Sequence, residues 1–361
     1  MQEREEAEEI RINTISSIKG EKSMNSFLQE VITQGDYLKK TAAYYRSEGA
    51  EAMRQITDLF HEKKKNRVVL TGMDSSLYAM DTVLSYLTGH GIPALSYSSF
   101  ELSRFQFGQL DGRTLVIAVS QSGNSAEVIE LVEKAKDVTT VVGIFNNESS
   151  KLAQLADIRL PIGGDKELSI TSKTYELTML ILNILARHLT GEVTEAFWGQ
   201  VAQAAQWCCD WCARWEENSR PLYDFAQGVV LFDLLANDTP LATARQLSLA
   251  YREGLHNCTA VWECADYAHG QYHSAKMAEK YLAQMFFPVL EPDTKEMKML
   301  NFILDHGGKV IVYTTTDLPQ RERLMTVKMP DLPKTLMPLA ESVAAETFLA
   351  MLFGPTWVKD H

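Results

Sequence analysis

Short apolar runs alternate along this chain with longer stretches whose apolar positions recur at helical spacing. Residues 25–65 read as helical, with Phe27, Val31, Ile32 and Leu38 near that spacing. The pattern then changes. Val68-Val69-Leu70, closed by Gly72, reads as a buried strand, and 76–88 as a helix. Ala94-Leu95-Ser96-Tyr97 is the next expected strand. Leu115-Val116-Ile117-Ala118-Val119 is the clearest one, followed by a polar turn and a helix over about 125–135. Thr139-Thr140-Val141-Val142-Gly143-Ile144-Phe145 and Ile158-Arg159-Leu160 complete the first set. Strands alternating with helices predict βαβ units and a parallel sheet.

Residues 171–190 and 195–217 form long helical stretches that bridge to a second unit. That unit restarts with Gly228-Val229-Val230-Leu231-Phe232 and a helix over about 240–256. Met285-Phe286-Phe287-Pro288-Val289 and Lys309-Val310-Ile311-Val312-Tyr313 are its further expected strands, and a helix over about 338–352 comes last. The expected fold class is α/β: two three-layer αβα units with parallel sheets, plus an N-terminal helical segment. The expected division is an extension and helix over 1–40, a first unit over 41–195, a helical linker over 196–224 and a second unit over 225–361.

The composition is that of an ordinary globular protein, 45% hydrophobic and 23% charged, which gives a sizeable core without staples. A net charge of −12 argues against a nucleic-acid partner, whose phosphates need a basic face. It leaves room for a small anion, because backbone N–H groups bind phosphate without basic side chains. Five cysteines, an odd number, read as reduced thiols and point to the cytoplasm. No apolar run approaches the ~20 residues a membrane helix needs. Residues 1–23 are charged and lack the apolar core of a secretion signal, so they read as a solvated or partly helical extension, with Met24 as an alternative start.

The most informative segment is Ser120-Gln121-Ser122-Gly123-Asn124-Ser125, which follows the clearest strand and opens a helix. Ligands in α/β folds bind at the carboxyl ends of strands, and a helix start offers free N–H groups and a positive dipole end. Hydroxyls and a glycine placed there can wrap a phosphate monoester. An N-cap with a polar turn fits the same residues.

This segment resembles the sugar-phosphate loop of sugar isomerase (SIS) domains, as in the isomerase half of glucosamine-6-phosphate synthase and the fructosamine-6-phosphate and glucoselysine-6-phosphate deglycases. The resemblance extends over roughly 40–355 as two tandem SIS units. It implies phosphosugar contacts from Ser120, Gln121, Ser122, Gly123 and Ser125. Gly72-Met73-Asp74-Ser75-Ser76 resembles the family's first glycine–serine turn, with Ser76 implied on the sugar and Asp74 where the family has a glycine. Ser169-Ile170-Thr171-Ser172-Lys173 resembles a further stretch in which Thr171 and Ser172 face the sugar. Capping alone also fits both segments. The corresponding second-unit turn, Leu290-Glu291-Pro292-Asp293, has no hydroxyl cluster, so one phosphate site per chain is expected.

Moving a proton between adjacent sugar carbons needs a base and a donor. Arg252-Glu253-Gly254-Leu255-His256 followed by Asp266-Tyr267-Ala268-His269-Gly270 resembles the family's catalytic Glu and His-Gly segments. The resemblance implies Glu253 as base, His269 as the ring-opening or proton-donating histidine, and Asp266 as its orienter. It also implies a homodimer with shared active sites, because the family's histidine serves the neighbouring subunit. Without it, Glu253 reads as a solvated helix-end residue and His269 as a turn residue.

Lys359 lies too near the end to equate with the lysine in the synthase's last segment, and no glutaminase half is present. The resemblance therefore points to a deglycase that cleaves an amino-acid–sugar 6-phosphate. An aldose–ketose isomerase or aminosugar deaminase, and a non-catalytic sugar-phosphate sensor, are the alternatives. No metal or redox cofactor is required. Cys208, Cys209 and Cys212 read as small apolar residues on a helix, Lys63-Lys64-Lys65 as a helix C-terminus, and His273 as either a site or a surface residue.

Overall fold

A computed structural model describes residues 24–62 and 65–359. The expected N-terminal extension falls largely outside the described residues, as do Lys63 and Lys64. Two five-stranded, all-parallel sheets carry the fold. The first comprises β1 (Arg67–Gly72), β2 (Ala94–Ser98), β3 (Thr114–Ser120), β4 (Thr140–Phe145) and β5 (Ile158–Pro161), in the order β2-β1-β3-β4-β5. The second comprises β6 (Leu231–Ala236), β7 (Ala260–Trp262), β8 (Tyr281–Phe286), β9 (Lys309–Thr314) and β10 (Leu324–Lys328), in the order β10-β9-β8-β6-β7. Read from the other edge, the second order repeats the first, so the two units share one topology. β3 is buried along its whole length, as a continuous apolar run covered by helices on both faces requires.

The central layer is made by helices buried on all sides. Lys173–Thr190 and Met337–Phe353 lie between the sheets and join the inner faces of both units into one core. Separate clusters cover the outer face of each sheet, so each unit has three layers. Among the described residues three helices, Ser26–Val31, Gln34–Arg46 and Ala50–Glu62, precede β1. None of the described helices is long and apolar enough to cross a membrane.

The central layer also buries polar side chains. The Arg187 guanidinium lies over the Tyr86 ring at 3.6 Å and donates to Thr335 Oγ1 at 2.9 Å. Glu176, Glu341 and Glu346 are fully buried carboxyls; Gln34 Nε2 donates to Glu346 at 2.6 Å and Thr243 Oγ1 to Glu341 at 3.3 Å. Burial pushes Glu341 and Glu346 up to about 8 and Glu176 well above the usual carboxylate range.

Several strands sit elsewhere than the apolar pattern places them. β6 begins at Leu231, because Gly228 turns with φ 78° and Val230 is exposed. It runs on through Asp233, a buried acid that accepts the Tyr281 hydroxyl at 2.9 Å. β8 ends at Phe286, before Pro288 and the exposed Val289. It contains buried Gln284, held between Tyr251 and Tyr313. Lys65 follows the end of Ala50–Glu62, its N–H donating to Phe60 O at 2.9 Å, and its side chain is buried and donates to Gly112 O at 2.9 Å.

Candidate active site

In the order β2-β1-β3-β4-β5 the connections reverse direction between β1 and β3, which opens a crevice at their carboxyl ends. Both serine turns lie at this switch point, since β1 and β3 are directly paired. The β1 turn approaches its neighbours closely. A Cβ on Gly72 would stand 2.9 Å from Ser76 Cβ and 3.0 Å from Val119 O. Asp74 holds a positive φ of 45° where the family has glycine. Ser76, half-buried, lies in the short helix Ser75–Tyr78 that follows.

The 120–125 loop is tightly built. Ser120 Oγ and Ser125 Oγ are hydrogen bonded at 2.9 Å, and Gly123 N–H donates to Ser120 Oγ at 3.1 Å. Gly123 has φ 66°, and a Cβ on it would meet Ser150 Oγ at 2.0 Å, so both conformation and space demand glycine. Gln121 O accepts Asn146 N–H at 3.0 Å and Gly123 O accepts Leu152 N–H at 2.9 Å, which tie the loop to the next strand-to-helix connection. Ser122 is exposed, its Oγ accepting Asn124 N–H at 3.2 Å. Ser125 occupies the N-cap of Ala126–Ala135 yet makes no cap hydrogen bond to its own helix. The equivalent second-unit position contrasts with it: Thr294 caps its helix Lys295–Asp305, accepting Met297 N–H at 3.3 Å. Of these two helix starts, the first-unit one is the one whose N-cap side chain makes no bond to its own N–H groups.

The 171–172 stretch meets the second unit. Glu167 Oε1 accepts the N–H groups of Ser172 (3.1 Å) and Thr174 (3.0 Å), and Oε2 accepts the Thr174 hydroxyl, so a carboxylate caps Lys173–Thr190. Ser172 is fully buried, its hydroxyl without a protein partner. Thr171, half-buried, accepts Gln246 Nε2 on its carbonyl at 2.6 Å. Gln246 belongs to Leu241–Leu255, the helix that carries Glu253. Arg245 on the same helix pairs with Asp81 at 2.7 Å, and the helix packs on Ser75–Tyr78. One second-unit helix thus joins the Ser76 turn and the Thr171 loop.

Glu253 lies near the end of that helix, which stops at His256 with φ 52°. Its carboxylate pairs with Lys359 Nζ at 2.8 Å. This corrects the sequence reading, which set Lys359 aside: the fold after residue 353 brings it back onto Glu253. His269 is exposed, and within one chain no hydrogen bond or ion pair joins it to Glu253. Its backbone N–H donates to Asp266 O at 2.9 Å, so Asp266 touches it through the main chain. His273 is likewise exposed, its ring stacked on Tyr272 at 4.5 Å. Cys208 and Cys212 are buried on Glu195–Ala213. Among the described residues no three His, Cys, Asp or Glu side chains converge as a metal site would need. A cavity of about 330 Å³ lies elsewhere, against Asn25, Trp215, Tyr223 and Met351; here chemistry rather than volume locates the site.

Comparison with known proteins bears on the family and the fold. Residues 60–186, which include both serine turns, match the SIS domain family. The chain carries a SIS domain, and its second unit repeats the SIS-like sheet. It is 32% identical over 130 residues to the glutamine–fructose-6-phosphate aminotransferase (isomerizing) of Pyrococcus horikoshii, a match covering 35% of this chain and 22% of that one. It is 29% identical over 110 residues to an arabinose 5-phosphate isomerase of Francisella tularensis, covering 30% and 34%. The chain thus spans well under half of these curated relatives. The C-terminal domain of glucosamine-fructose-6-phosphate aminotransferase from Francisella tularensis has the same fold, with a TM-score of 0.77 at 17% identity over 95% of this chain and 99% of that one.

Proposed function

We propose that this protein is an enzyme acting on hexose 6-phosphates, and that its reaction is cleavage of an amino-acid–sugar 6-phosphate. The observation that carries the reading is the 120–125 loop: a hydroxyl-lined helix start at the sheet's switch point, in a SIS domain. Ser120, Gln121, Ser122, Gly123 and Ser125 would hold the phosphate, and Ser76, Thr171 and Ser172 would contact the sugar. The relatives named above act on sugar phosphates by name.

Glu253 would act as base. With the amine on carbon-1 of a ketose, it removes a carbon-1 proton to give an enaminol. Reprotonation at carbon-2 gives an aldimine, which water hydrolyses to glucose 6-phosphate and the amino acid. With the amine on carbon-2 of an aldose, the mirror sequence yields fructose 6-phosphate. His269 would move protons at the ring oxygen or leaving nitrogen. Its exposure and separation from Glu253 within one chain support a site completed by a neighbouring subunit in a homodimer.

The test is incubation with the 6-phosphates of fructoselysine, glucoselysine and fructose-asparagine, with hexose 6-phosphate measured. Release from at least one is expected. Interconversion of unmodified aldose and ketose phosphates without amine release would favour an isomerase. Tight binding without turnover of any would favour a sensor.

A further inference from the structure

The helix Met337–Phe353 ends at Gly354 with φ 83°, and the chain after it folds back over the end of Leu241–Leu255. Two side chains fasten this return. Asn25, 3% exposed, uses its whole amide: Nδ2 donates to Ala350 O and to Gly354 O, both at 2.8 Å, and Oδ1 accepts Leu28 N–H at 2.8 Å. It therefore caps the start of Ser26–Val31 and the end of Met337–Phe353 at once. Trp357 Nε1 donates to Gly254 O at 2.9 Å, and its ring packs on Phe353 with centroids 4.5 Å apart. Phe353 in turn lies on Gly254, where a Cβ would come within 2.1 Å of its ring, and against Phe27 at 5.2 Å. Two residues beyond Trp357, Lys359 Nζ reaches Glu253, with the two side chains 35% and 32% exposed.

We infer that Asn25 and Trp357 are positioning residues that hold Lys359 against Glu253. A lysine stem on an exposed segment has many rotamers, and ordering it costs conformational entropy that a single contact to the buried Glu253 Oε2 must offset. The order comes from the fastening. Two donors on carbonyls of one helix end and one donor on the carbonyl beside Glu253 fix the segment at both sides of the ion pair. The working unit at the active site is then the Glu253–Lys359 couple, and the first described helix supports it from 228 positions away from Glu253 in sequence.

This inference rests on the proposed role of Glu253, and its test separates the two. Asn25→Ser keeps the oxygen that caps Leu28 and removes both donors to Ala350 and Gly354. Trp357→Phe keeps the ring on Phe353 and removes the donor to Gly254. The first readout is the acetylation rate of Lys359 by N-hydroxysulfosuccinimide acetate, followed by peptide mass spectrometry with exposed Lys298 as reference. Lys359 should react several-fold faster in each variant than in the wild type, with Lys298 unchanged. The second is turnover of whichever amino-acid–sugar phosphate is cleaved. kcat should fall roughly ten- to a hundredfold, the scale of a misplaced catalytic group, with KM little changed. An Asn25 that serves only as a helix cap would leave Asn25→Ser like the wild type in both readouts. An unchanged Lys359 rate overturns the inference whatever the turnover. A faster rate with normal kcat also overturns it, because the couple would then not be used. If no compound turns over and Lys359 still reacts faster, the fastening stands and the proposed reaction falls.

Discussion

Glu253→Gln should keep the fold and phosphosugar binding while losing turnover by ~10²–10⁴-fold, the usual contribution of a general base. Amide and carboxylate have nearly the same shape, and Glu253 is only partly buried, so the core is unaffected. What the amide cannot do is take a proton from carbon. It also cannot pair with Lys359, whose ammonium now sits 2.8 Å from the carboxylate. Steady-state kinetics with the cleaved substrate, alongside a binding isotherm for the hexose 6-phosphate product, separates the two effects. Near-normal turnover in this variant would remove Glu253 as the base. Loss of product binding would instead make it a binding residue.

A large effect on stability is expected from carboxyls that the fold takes out of water. Glu341 and Glu346 are held protonated to about 8 by burial, Glu30 to about 7 and Asp81 to about 6, the last in spite of its Arg245 partner. All these folded-state values are raised, so each group's stabilising share is complete below its unfolded value near 4. It is lost as pH rises through the folded value. Between those limits the unfolded chain has released the proton and the folded chain has not, which costs roughly 1.4 kcal/mol per pH unit for each group. The melting temperature should therefore fall between pH 5.5 and 8.5. Glu346→Gln, whose amide still meets Gln34, should flatten that slope by about one group's worth and melt above the wild type at pH 8.5. The measurement is thermal unfolding at several pH values. An unchanged slope in Glu346→Gln and Glu341→Gln would mean that these carboxyls are ionised in the folded protein.

The centre of the first sheet was legible because β1, β3 and β4 are nearly continuous buried runs, the pattern that burial on both faces imposes. β6 and β8 were harder to place because each buries a polar residue, Asp233 or Gln284, whose hydrogen-bond partners lie far along the chain. β7, three residues long, and β10, a half-exposed edge strand, carry too little apolar pattern to be seen. The serine loop was visible because strand, hydroxyls, glycine and helix follow one another directly. The Glu253–Lys359 contact was not, since the chain turns back after Gly354 to make it and no local pattern joins residues so far apart. Glu167 as the cap of the 173–190 helix was hidden for a related reason. Its carboxylate reaches forward to N–H groups five and seven residues on, beyond the usual N-cap spacing.

The most direct measurement is the structure of the protein crystallised with fructose 6-phosphate or glucose 6-phosphate. The phosphate is expected at the start of the 126–135 helix, with oxygens within hydrogen-bond distance of Ser120, Ser122 or Ser125 hydroxyls, and the sugar directed toward Ser76 and Thr171. A phosphate bound beyond hydrogen-bond reach of all three hydroxyls would contradict a phosphosugar site built on this loop.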